Sequence, residues 1–136
     1  MKRVLELMEQ KNHYLEKFYT VNETSLQNFL NDNYNDINEF YNQRENILEI
    51  LKYIDRELLH ISSQSEHGTT YELESLKKHL IDKDLFVQKI IEQDVAILSC
   101  IEAAKNQIIR DLKDLKKGQK VISAYKVPQF ANQEEV

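Results

Sequence analysis

At 136 residues, with 41% hydrophobic and 30% charged side chains, the chain is sized for a single domain, 1–136, and is too apolar for a disordered one. Two glycines and one proline are too few for the turns of a sheet, and the lone Cys100 excludes a disulfide framework or a cysteine zinc site. A net charge of −5 argues against general nucleic-acid binding; no apolar run reaches the ~20 residues of a membrane span or opens the chain as a signal peptide, so the expected setting is the cytoplasm.

The expected fold is all-α, an antiparallel bundle of three to four helices with a long C-terminal helix. The first helix covers about 2–30, its apolar positions Val4, Met8, Leu15, Phe18, Leu26 and Phe29 broken by polar Lys11, Asn22 and Ser25. It ends at Asn31-Asp32-Asn33, after which Asn35 or Asp36 can cap the next helix. The second, about 34–62, alternates steps of three and four through Ile37, Phe40, Arg44, Ile47, Leu51, Ile54, Leu58 and Ile61. Tyr41 and Leu48 widen that seam, as in a helix with two neighbours. The loop 62–70 follows, with Gly68 expected to supply a positive φ.

The third stretch is expected over 71–117, its seam running Leu73, Leu76, Leu80, Val87, Ile90, Asp94, Ile97, Ile101, Ala104 and Ile108. Leu112 and Leu115 follow after a slip of one residue, and a break at Asp82-Lys83-Asp84 is an open alternative. A tail, 118–136, begins at Gly118; Val121, Ile122 and Tyr125 resume helical spacing, Pro128 is expected to stop it, and 130–136 to fray.

Length bookkeeping singles out the C-terminal segment. At ~1.5 Å per residue the second helix is ~45 Å long and the third ~69 Å, so about 16 residues have no antiparallel neighbour. They carry Ile108, Leu112, Leu115, Ile122 and Tyr125, the candidate partner-binding residues. Within 105–126 seven basic residues face only Asp111 and Asp114, a net +5. Folding back at Gly118, dimerisation, or docking of a client helix would each cover the stripe. Capping of the helix dipole is the plainer account of the charge.

Arg44 and Asp94 form a candidate structural pair. They lie 24 residues before and 26 after Gly68, so a hairpin turning there sets them nearly level. Buried together they would satisfy one another, and losing either would cost about 3–5 kcal/mol; snorkelling to solvent is the alternative.

No catalytic, metal or cofactor site is expected. Phosphate loops, His-Glu-x-x-His and Gly-x-Ser-x-Gly are missing, and His13, His60, His67 and His79 have no ligand-like spacing. Cys100 is expected to be a buried, inert thiol.

Two stretches are similar to flagellar type III export chaperones of the FlgN/FliT kind. One runs from Ser25 through the turn Asn31-Asp32-Asn33 to Phe40 and Arg44-Glu45-Asn46-Ile47-Leu48. The other runs from Ile90 through Asp94, Ile101, Lys105, Leu112 and Leu115 to Lys117-Gly118-Gln119-Lys120 and Ala124-Tyr125. The resemblance implies a cytosolic chaperone, not an enzyme. It would bind a C-terminal helical segment of a late export substrate, a hook–filament junction or filament-cap protein, and deliver it to the membrane export gate. It further implies client binding by the C-terminal helix and gate docking at Tyr125. The alternatives are a structural coiled-coil adaptor that homodimerises through the same helix and, remotely, a four-helix enzyme with a metal core.

Overall fold

The computed structural model describes residues 1–62 and 67–134, with side chains described as far as Tyr125. Three helices result: α1 (Lys2–Leu30), α2 (Ile37–Ser62) and α3 (Thr70–Glu134). The first turn is built by a Schellman closure. Asn33 donates its N–H to the Asn28 carbonyl at 2.8 Å and Asp32 to that of Phe29 at 3.1 Å, with Asp32 left-handed at φ 57°. Aspartate tolerates that conformation better than most L-residues, so it does a task usually left to glycine. Phe29 then stacks on Tyr34 and meets Phe40 edge-on, centroids 4.8 and 5.4 Å apart, which fixes the return of the chain.

A capping box opens α3: Glu72 N–H donates to Thr69 Oγ1 and Thr69 N–H to the Glu72 carboxylate, both at 3.1 Å. Gly68 does not have the expected positive φ. Its lack of a side chain makes room instead, since a Cβ there would lie 2.8 Å from Met1 Cε. Ser63 to Glu66, the remainder of that loop, lies outside the described residues.

The chain divides into two compact units, Met1–Ser99 and Cys100–Val136. In the first, the contacts give the helix directions. Lys11 of α1 reaches Asp55 of α2 at 2.7 Å, while Phe29 meets Phe40, so these two run antiparallel. Asn12 donates to the His79 carbonyl and Gln93 to that of Tyr19, so α1 and the start of α3 run parallel. The result is an up-down-up bundle, with α2 antiparallel to both its neighbours. Leu15, Phe18, Ile47, Leu51 and Ile90 form its central cluster, with Phe86, Tyr14, Tyr19 and Val21 packed around it. Each fully buried aliphatic or phenyl group contributes about 1.5–3 kcal/mol.

The α2 seam packs as its spacing predicts, with Phe40, Ile47, Leu51 and Ile54 buried, but Tyr41 and Leu48 do not widen it as expected and are exposed. On α3 the register differs. Leu73, Leu80 and Val87 are exposed, and the inward line runs through Leu76, His79, Lys83, Phe86, Ile90 and Ile97, sharing Leu76, Ile90 and Ile97 with the expected seam. The helix is unbroken at Asp82-Lys83-Asp84. Cys100 is half-buried.

The second unit is helical from residue 100 to Glu134, without the expected interruption at Gly118, whose Cα has open space around it. Pro128 does not end the helix either. A proline removes one backbone hydrogen bond and crowds the preceding turn, a cost of about 3 kcal/mol rather than a prohibition. Among the described residues there is no strand, and no helix is long and apolar enough to cross a membrane.

Candidate functional site

Two places concentrate the polar and apolar features that the bundle does not use routinely. The first is a polar layer inside the Met1–Ser99 unit, built by one residue from each helix. Asp94 of α3 accepts from Asn22 Nδ2 of α1 at 3.0 Å, and its carboxylate lies 3.3 Å from Arg44 Nη2 of α2. The Arg44 guanidinium is sandwiched between the Phe18 and Phe40 rings, 4.9 and 5.0 Å from their centroids. Cation–π attraction and the carboxylate thus hold it from three sides. Gln93 adds donations to the Tyr19 carbonyl and the Glu23 carboxylate, both 3.0 Å.

Burial is uneven in this layer. Asn22 has no exposure, whereas the Arg44 and Asp94 side chains are 21% and 40% exposed. Arg44 and Asp94 are therefore level and adjacent, but at the bundle edge rather than sealed within it. Solvent at Asp94 weakens the ion pair and spares its desolvation. The amide oxygens of Asn22 and Gln93 are buried without an acceptor role. That cost, about 1–3 kcal/mol per group, marks the layer as one that selects an arrangement of helices more than it stabilises one.

The second place is the C-terminal segment. Every residue from Lys105 to Tyr125 is exposed. Ile108, Leu112, Leu115 and Ile122 stand 52–59% exposed and share one helix face about 80° wide. Tyr125 falls about 60° beyond Ile122, beside rather than on that stripe. The structure adds Ile109, also exposed, about 60° beyond Leu112 as a flanking apolar residue. Lys105, Lys113, Lys116 and Lys120 line one flank of the stripe, while Asp111 and Asp114 lie on the other. An apolar ridge with a cationic border on one side suits an amphipathic helix with an acidic flank.

Between α1 and α2 a groove of about 530 Å³ is lined by Val21, Ile47, His13, Glu16 and Lys17 among others. It contains none of the candidate residues. No group of three or more His, Cys, Asp or Glu among the described residues is placed to hold a metal.

Two features escaped the sequence reading. Asn22, the donor to Asp94, registered only as an interruption of an apolar stripe, although a polar residue at a core position of α1 is the signal of a partner on another helix. A second exposed apolar line on α3, through Ile91, Val95 and Leu98, was hidden by the inner one. No family model matches the chain, and no characterised protein or solved structure is detectably similar to it.

Proposed function

We propose that this chain is a cytosolic export chaperone that holds a C-terminal helical segment of a late flagellar substrate, of the hook–filament junction or filament-cap type, and hands it to the type III export gate. The observation that carries this reading is the exposure of the whole 105–125 stretch as regular helix, with Ile108, Leu112, Leu115 and Ile122 in one stripe. A folded protein seldom leaves so long an apolar ridge in water unless something binds it. A client helix would lay its own apolar face along the ridge and set its acidic flank against Lys113, Lys116 and Lys120. Tyr125, set aside from the stripe, is left accessible for the gate while a client is bound. The resemblance in the stretches 25–48 and 90–125 supplies the identity of client and gate; the exposed ridge supplies the means of binding.

No catalysis is proposed. The bonds of the polar layer join helix to helix, and the ridge carries no nucleophile or base beside a cavity.

The test is co-purification of the chain with each late flagellar substrate expressed singly, repeated with the substrate's C-terminal helix deleted. The reading expects one substrate to be retained and its truncated form lost. Retention of neither, or equal retention of both, removes it.

A further inference from the structure

The two flanks of the C-terminal ridge differ in sign. With the Ile108–Leu112–Leu115–Ile122 stripe as the front of the helix, Lys113, Lys116 and Lys120 fall about 80–140° to one side. Asp111 and Asp114 fall about 60–120° to the other side, and Arg110 and Lys117 lie on the back. All seven side chains are exposed.

Spacing shows which of these charges the helix itself can balance. Residues three and four apart are neighbours on a helix surface. Asp114 has Arg110 four residues before it and Lys117 three after it. Lys113, Lys116 and Lys120 have no carboxylate at such a position; their charged neighbours are one another, Arg110 and Lys117. Like charges at these spacings weaken a helix. On the other flank Asp111 stands three residues from Asp114, again like beside like, and accepts from the neutral Gln107 amide at 2.9 Å.

A partner acidic on both sides would satisfy the lysines and be repelled at Asp111, and a basic one would do the reverse. We propose that the ridge selects a helix with charge of opposite sign on the two sides of its apolar face. Its carboxylates, three and four residues apart over ~10 Å, meet Lys113, Lys116 and Lys120, and a lysine or arginine meets Asp111 and Asp114. This selectivity rests on the chaperone reading of the ridge and adds what separates a client from other amphipathic helices.

Fluorescence anisotropy of two labelled synthetic helices, titrated with the full chain, is the test. Each has about 18 residues, enough to cover the ridge, with a leucine face and a staple on the opposite side. One carries glutamate on one flank and lysine on the other; the second carries glutamate on both. The first can present its glutamates to the lysine flank in one chain direction or the other, so no direction is presupposed. It should bind about fivefold more tightly than the second, although the segment is basic. Lys116→Gln with Lys120→Gln should weaken the first helix about fivefold. Arg110→Gln with Lys117→Gln, the same change of charge on the back, should leave it within about twofold. Asp111→Lys with Asp114→Lys should reverse the preference between the two helices. A second helix bound as tightly as the first, back changes as costly as flank changes, or no binding of either helix at about 1 mM overturns the proposal. No flagellar protein enters this assay, so its failure and a failure of the co-purification are told apart.

Discussion

Asp94 carries more of the polar layer than Arg44 does, because it is the one residue bonded to both other helices. Removing Asp94 leaves the fully buried Asn22 amide without its acceptor and Arg44 without its counter-charge. Removing Arg44 leaves Asp94 still bonded to Asn22 and 40% open to water. Asp94→Ala is therefore expected to cost about 2 kcal/mol and Arg44→Met about 1 kcal/mol, since the methionine still packs between Phe18 and Phe40. Urea unfolding of the two variants measures both. Equal losses near the 3–5 kcal/mol of a sealed ion pair would show the layer to be drier than its exposure indicates.

Among the elements, α3 is held at its start by a capping box and runs unbroken through Gly118. Thr69→Ala removes the side-chain acceptor for Glu72 N–H and should lower stability by about 1 kcal/mol. Gly118 sits in exposed helix with nothing near its Cα, so Gly118→Ala should stabilise the segment by about 0.5–1 kcal/mol and raise helicity by circular dichroism. A loss of helicity would show that the glycine makes a turn there. The same element marks where sequence stops being decisive. On α2 one apolar line exists, so spacing alone placed Phe40, Ile47, Leu51 and Ile54 inward. On α3 the helix has two lines on adjacent faces, Leu76–Phe86–Ile90 and Leu73–Leu80–Val87, and hydrophobicity cannot rank them. The inner line even includes His79 and Lys83, half-buried by contact rather than by preference for oil. The docking of α1, through Asn12 to the His79 carbonyl, Gln93 to the Tyr19 carbonyl and Asn22 to Asp94, selects that face. Likewise, the level pairing of Arg44 with Asp94 followed from counting residues, while its bond to Asn22 required knowing how α1 rotates.

The molecule has a bundle, organised around the Leu15–Phe18–Ile47–Leu51–Ile90 cluster, and a helical segment whose side chains from Lys105 to Tyr125 are exposed. On the chaperone reading these have separate tasks, folding in one and binding in the other. Tyr125→Ala is then expected to leave the client complex intact and reduce export in flagellated cells, with secreted substrate in the medium as the measure. Equal loss of client binding would place Tyr125 in the client site instead. The most direct test of the central claim is titration calorimetry with the C-terminal helical segment of the retained substrate, run beside thermal melting. Leu112→Asp and Leu115→Asp should each weaken binding at least tenfold, about 1.4 kcal/mol or more, while the melting temperature stays within a degree or two of the parent. Undiminished affinity in both variants, or a bundle that unfolds with them, would contradict the account.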